Sequence, residues 1–203
     1  MERLITLCLL LPACLTAAPK LSETPAVAVF EAKKNITHAS VRIPALLMTA
    51  KGTLIAIAEA RDKATDQAGN DLLFALSKDQ GKTWSKPALA YEQGDDSCNN
   101  PCLVQDAKSG RVFLFFQTFP AGGKEFGGLP AGPKDPKGNR LKFVTSDDEG
   151  ATWSKPVDTN WGLTGDRHNG VFTSDGRMVV FFRDQALNSP TKGHFVAWVG
   201  TYD

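Results

Sequence analysis

This chain has little cysteine, histidine or tyrosine. Its 203 residues include four cysteines, three histidines and two tyrosines. Cys8 and Cys14 lie near the start, which leaves Cys98 and Cys102 for the body of the protein. Zinc sites need clustered thiols or imidazoles, and no such cluster is present, so no metal or cofactor is expected. The net charge is +1, which gives no reason to expect a nucleic-acid or anionic-membrane partner. The apolar runs are too short to favour a membrane span. Long helical periods are absent, as are Gly-rich phosphate loops and Ser nucleophile elbows.

The start of the chain reads as an export signal. Arg3 supplies a positive charge, residues 4–11 are apolar, and residues 12–18 offer small side chains for cleavage after Ala17 or Ala18. The expected organisation is therefore a signal peptide (1–18), a lead-in segment (19–38) and one domain (39–203). Leu11-Pro12-Ala13-Cys14 also loosely matches a bacterial lipoprotein box. The expected location is secreted or periplasmic, with a lipid anchor on Cys14 as the alternative. In an oxidising compartment Cys98 and Cys102 could close a small disulfide loop or remain free thiols, and geometry decides between the two.

What the chain does contain is a repeat. Ser77-Lys78-Asp79-Gln80-Gly81-Lys82-Thr83-Trp84 and Ser146-Asp147-Asp148-Glu149-Gly150-Ala151-Thr152-Trp153 share one pattern, Ser-x-Asp-x-Gly-x-Thr-Trp. Each is followed by Ser-Lys-Pro. Asp can accept hydrogen bonds from turn N–H groups, Gly tolerates a positive φ, and Trp can anchor a hairpin on an apolar surface. Ahead of each copy, apolar runs flank Gly turns: 42–48 and 53–58, then 103–106 and 111–116. A third pair follows at 170–173 and 177–182. Val112-Phe113-Leu114-Phe115-Phe116 and Met178-Val179-Val180-Phe181-Phe182 favour strands buried on both faces. Each unit is a hairpin, a third strand, the turn motif and a last strand beginning at Trp84 or Trp153. Four strands per unit is the composition of a propeller blade. A third unit ends at Asp203, just where another turn motif is expected. The chain is therefore expected to be a truncated product or a fragment.

The turn motif resembles the Asp-box of sialidases and related β-propellers, in which it is a scaffold turn away from the active site. Val41-Arg42-Ile43-Pro44 resembles the family's Arg-Ile-Pro motif, and Ile57-Ala58-Glu59-Ala60-Arg61 its second-strand segment. Asn99-Asn100-Pro101-Cys102-Leu103-Val104-Gln105-Asp106 is similar to the opening of its second blade. The resemblance implies an all-β fold, a partial β-propeller of about three four-stranded blades from a six-bladed ring. It also implies an exo-sialidase-like glycoside hydrolase acting on sialylated or other acidic glycans, monomeric when full length. Sialic acid carries a carboxylate, which a planar guanidinium binds bidentately.

By the same resemblance Arg42 binds the substrate carboxylate, Arg61 lies in the active site, and the acid is Asp66, with Asp62 second. Arg183, after the Asp175-Gly176 hairpin, fits another carboxylate contact. Sialidases also use a Glu to activate a Tyr nucleophile, and the position expected for that Glu falls at Arg167-His168. Either the Glu lies beyond residue 203, or the chain belongs to a branch with altered chemistry in which Arg167, His168, Arg183 and Asp184 line the cleft. Tyr91 follows the first Asp-box and Tyr202 sits at the end, so neither fits the nucleophile. The chain alone is expected to give no turnover. Two rivals stay open: a noncatalytic Asp-box propeller that binds glycans or protein, and a hydrolase of another sugar.

Overall fold

The computed structural model describes residues 25–123, 138–159, 164–184 and 194–202. Every regular element among them is a strand. The first sheet joins β1 (Ser40–Met48), β2 (Leu54–Arg61), β3 (Asn70–Ser77) and β4 (Ala88–Tyr91) in chain order. The second joins β5 (Ser97–Gln105), β6 (Val112–Phe119), β7 (Arg140–Ser146) and β8 (Val157–Asp158) in the same way. The third has β9 (Thr164–Phe172), β10 (Met178–Asp184) and β11 (Phe195–Gly200), with β10 central. All the ladders are antiparallel. The protein is all-β, and its sheets are successive blades of a partial β-propeller. The expected export signal, with Cys8 and Cys14, lies outside the described residues.

Alternation along the strands builds the core. Val112, Leu114 and Phe116 of β6 join Ile55, Ile57, Leu72 and Phe74 between the first and second sheets. Phe113 and Phe115 face the other way and pack with Met178 and Val180 of the third sheet. A middle strand buried on both faces thus explains the unbroken apolar run at 112–116. Each such side chain contributes roughly 1.5–3 kcal/mol by leaving water. Phe30 and Ile36, ahead of β1, pack with Ala60 and Leu73. The positions that face forward in the first sheet recur in the third as Val171 and Phe181, which are exposed.

Both Asp-boxes form the same turn. Asp79 accepts from the Thr83 N–H at 2.9 Å and the Thr83 hydroxyl at 2.6 Å. Asp148 accepts from Thr152 at 2.8 and 2.6 Å. The Gly81 and Gly150 N–H groups donate to the Ser77 and Ser146 hydroxyls at 2.9 and 2.8 Å. Both glycines have positive φ, +86° and +84°. A Cβ on Gly150 would meet Ile55 Cδ1 of the first blade at 2.7 Å, whereas one on Gly81 would meet nothing closer than 3.5 Å. The second box is therefore wedged against the neighbouring blade. The last strands begin after Pro87 and Pro156 rather than at Trp84 and Trp153, because the Ser85 and Ser154 hydroxyls first close the turn onto Leu76 and Thr145. In a meander the β3–β4 turns lie at the same edge as the β1–β2 and β5–β6 hairpins. The β2–β3 loops lie at the opposite edge, and the candidate residues gather there.

β1 and β5 share a backbone irregularity. Pairing jumps from Arg42↔Glu59 to Ala45↔Ile57, and from Asn99↔Gln117 to Cys102↔Phe115, so each inner strand carries one extra residue. Ile43 and Asn100, each preceding a proline, adopt φ of +49° and +56°. This bulge overturns the disulfide. Cys98 and Cys102 are both free. Their spacing would put them on one face of a regular strand, but the extra residue switches the side. Cys98 packs in the cluster between the first two blades and Cys102 against the cluster between the second and third. Burial pushes both thiols up from their ordinary value.

Candidate functional site

The ends of β1 and β2 place charge in an otherwise apolar blade. Glu59 and Arg61 are two residues apart on β2, so both side chains lie on one face. Both are buried, at 0% and 1% exposure. Arg61 Nε donates to Glu59 Oε2 at 2.8 Å, and Nη2 donates to the same oxygen. Its third nitrogen, Nη1, donates to Asp66 Oδ1 at 2.6 Å. Arg42 Nη1 approaches that same Asp66 oxygen at 3.4 Å. The result is an alternating chain of charge, Glu59–Arg61–Asp66–Arg42, running from the core to the surface. Arg42 and Asp66 are half-exposed, with side chains 51% and 49% accessible.

The electrostatics follow from this gradient. Burial pushes Glu59 above the ordinary carboxylate value, opposed by the Asn100 N–H and by Arg61. Burial also works against the Arg61 charge, but its bonds to Asp66 and Glu59 outweigh that and hold the guanidinium above its usual value. Arg61 is thus a fixed cation with each of its three nitrogens donating to a carboxylate. Among the described residues, Arg42 has only the longer contact to Asp66, and its side chain is half-exposed.

Amides from two blades fix the loop that carries Asp66. Asn70 Nδ2 and Asn99 Nδ2 donate to the Asp66 main-chain carbonyl at 2.7 and 2.8 Å. Asn70 Nδ2 also donates to Asn99 Oδ1 at 2.7 Å. The Asn100 N–H donates to Glu59 Oε1 at 2.6 Å. Asn100 Nδ2 donates to Gln117 Oε1 at 3.2 Å. Asn70, Asn99 and Gln117 are all buried.

The structure thus brings Arg42, Arg61 and Asp66 together. Asp62 belongs to a different neighbourhood: its Oδ2 lies beside Gly69 and its charge acts on Asp71. Tyr91, on β4, donates to Gln93 at 3.0 Å. Tyr202 donates to Asp106 at 2.6 Å and packs on Phe113 and Phe172, at the hairpin edge away from the cluster. Arg183 stands as far along β10 as Glu59 along β2 and Gln117 along β6, and Phe182 pairs with His168. The side chains of Arg167, His168, Arg183 and Asp184 lie outside the described residues. No group of three or more His, Cys, Asp or Glu that could hold a metal occurs among the described residues.

Sequence reasoning missed Glu59, Asn70 and Asn99 as site residues. Glu59 carried a legible signal: opposite charges two apart in an apolar strand share a face. The two asparagines carried none, because their reach depends on the bulge and on packing between blades.

A family profile described as BNR repeat-like domain matches residues 52–201. The chain is 29% identical to the anhydrosialidase of Macrobdella decora over 72% of its own length and 23% of that protein's. It is 30% identical to the exo-alpha-sialidase of Arthroderma benhamiae, covering 70% of this chain and 40% of that one. The crystal structure of the intramolecular trans-sialidase from Ruminococcus gnavus in complex with oseltamivir carboxylate superposes with a TM-score of 0.66 at 18% identity, over 84% of this chain and 62% of that one. The chain spans less than half the length of these two curated relatives. With the two Asp-boxes and the blade geometry, the profile match shows that the chain belongs to the BNR repeat-like, Asp-box family of sialidase-type proteins.

Proposed function

We propose that this chain is the region of an exported exo-sialidase-type glycoside hydrolase that receives the acidic sugar and supplies the acid. One observation carries the reading: guanidinium groups from two adjacent strands converge on a single loop carboxylate at the mouth of the blade. Arg42 is the group available to a ligand carboxylate, because Arg61 is buried and already paired. Asp66, half-exposed beside it, is the group that delivers a proton to the glycosidic oxygen. Arg61 holds that carboxylate in place. The substrate is a terminal sialic acid on a glycoconjugate, and export places the protein where such glycans are met.

Tyr91 and Tyr202 both lie away from Asp66, and this favours a nucleophile supplied from elsewhere. On this reading the 203-residue chain binds sialic acid but does not turn it over. The rival reading, a noncatalytic glycan-binding propeller, draws on the same placement of the tyrosines. The test is titration of the chain with N-acetylneuraminic acid, followed by assay of the longest natural form of the protein on a fluorogenic sialoside. Binding that falls on the order of 10²-fold in Arg42→Ala is the expected result, given the worth of a charge-assisted pair. An absence of binding by the wild-type chain sinks the proposal. Binding without hydrolysis by the longest form moves the protein to the rival reading.

A further inference from the structure

Two consecutive residues of β5 in the second blade donate hydrogen bonds to the charged chain of the first. Asn99 Nδ2 donates to the main-chain carbonyl of Asp66 at 2.8 Å. The Asn100 N–H donates to Glu59 Oε1 at 2.6 Å, while the other Glu59 oxygen takes two nitrogens of Arg61. The backbone of the acid and the counter-ion of the arginine therefore rest on one dipeptide. This is geometrically unusual. In a regular strand, neighbouring residues point to opposite faces. Here the extra residue and the φ of +56° at Asn100 let an amide side chain and the next backbone N–H serve the same neighbouring sheet. β1 carries the same irregularity at Arg42-Ile43-Pro44, but Arg42 reaches Asp66 of its own blade.

We propose that the Asn99–Asn100 bulge of β5 is a cross-blade clamp whose role is to position Asp66 and Arg61 for an anionic ligand held by Arg42. The proposal deepens the functional reading above and rests on it for the ligand. Asp66 is half-exposed on the loop at 62–69, and a loop carboxylate with no tether would sample many positions. Its carbonyl is instead fixed by two buried amides, Asn70 from its own blade and Asn99 from the next. Glu59 is fully buried and cannot take its hydrogen bonds from water, so the Asn100 N–H on one oxygen and Arg61 on the other together set which way its carboxylate faces. Asn99 and Glu59 are thus positioning residues: they act through Asp66 and Arg61 without meeting the ligand.

The test uses the 203-residue chain with Asn99→Asp, which keeps the shape, removes the donor and adds a negative charge, and with Asn99→Ala, which removes the donor without adding charge. Hydrogen exchange is followed at the bonded Gly69 N–H and Asn70 side-chain amide that frame the loop, and at the Arg61 Nε–H resonance. The strand amides of 55–58 and 112–116 serve as internal references. In both variants the Gly69 N–H and the Asn70 side-chain amide are expected to exchange at least about tenfold faster, with the strand references and the Arg61 Nε–H, which rests on Glu59 and the Asn100 N–H, unchanged. Loop exchange at the wild-type rate overturns the clamp, and so does equal acceleration everywhere, which marks general loosening. Titration with N-acetylneuraminic acid separates the two proposals. If the loop loosens and wild type binds, Asn99→Ala, which adds no charge, is expected to bind about tenfold more weakly. If the loop loosens but the wild type does not bind, the functional reading falls and the positioning device stands.

Discussion

The first and second blades use one backbone for two purposes. At matching positions, Arg42 pairs with Glu59 and Asn99 pairs with Gln117. Both pairs sit at a one-residue bulge whose next residue has positive φ and precedes proline. Further along the second strand, Arg61 in the first blade corresponds to Phe119 in the second. The first blade therefore carries net charge where the second carries neutral amides and an aromatic ring. Asn99 donates to the Asp66 main-chain carbonyl, and Gln117 accepts from Asn100, whose N–H donates to Glu59, so the second blade serves the first as its polar support. Repetition fixes the geometry, and substitution at a few strand-end positions sets which blade carries the charge.

The largest way to break this contrast is to swap one member. Arg61→Ala leaves the buried Glu59 carboxylate without its cation and is expected to cost about 3–5 kcal/mol in urea unfolding. Gln117→Glu plants a buried carboxylate in a blade that has Phe119 in place of the arginine, and is expected to cost a similar amount at neutral pH. Burial raises the pKa of such a group, as it does for Glu59. Its stability contribution is therefore present below the unfolded value and lost as pH rises through the folded one, so the Gln117→Glu deficit should shrink in acid. Unfolding curves at two pH values check the sign.

The two Asp-boxes sharpen the contrast at the opposite edge. Gly81→Ala forces a non-glycine residue into left-handed backbone, at about 1–2 kcal/mol. Gly150→Ala adds a collision with Ile55 of the first blade, worth roughly a further 1–3 kcal/mol. Equal losses would show that the second box is not wedged against its neighbour. Asp79 is held down to about 2, first by the Thr83 hydroxyl and then by the Thr83 N–H, and Asp148 is lowered chiefly by the Thr152 hydroxyl. Lowered groups stabilise above the unfolded value. Their contribution should fade as pH falls through the range below about 4, and Asp79→Asn should flatten that acid limb in a thermal melt. The smallest stability effect belongs to Arg42→Ala, expected within about 0.5 kcal/mol because its pair is half-exposed. Arg42 and Arg61 would thus separate: one matters for ligand, the other for folding.

Much of this was legible in the sequence, and the illegible part has a physical cause. The Asp-boxes announce themselves because a tight turn restricts residue type at fixed positions. The convergence of Arg42 and Arg61 on Asp66 was implied by the family resemblance of their motifs. The strands proved longer than their apolar stretches, since β2 runs on through Glu59 to Arg61 and β6 through Gln117 to Phe119. Those polar extensions carry the candidate site, where buried charge departs from the apolar pattern. Asn99 and the separation of Cys98 from Cys102 share one hidden origin: an extra residue in β5 that reverses the parity of everything after it. Proline preceded by asparagine marks the spot, but only pairing with β6 reveals the slip.

The dependence of Glu59 and Asp66 on Asn99 and Asn100 bears on how the protein is made. A nascent chain that has released only its first blade holds the charged residues but not the donors that arrange them. The charged cluster therefore takes its arrangement only when a later stretch of polypeptide docks, so its maturation is tied to the order of synthesis.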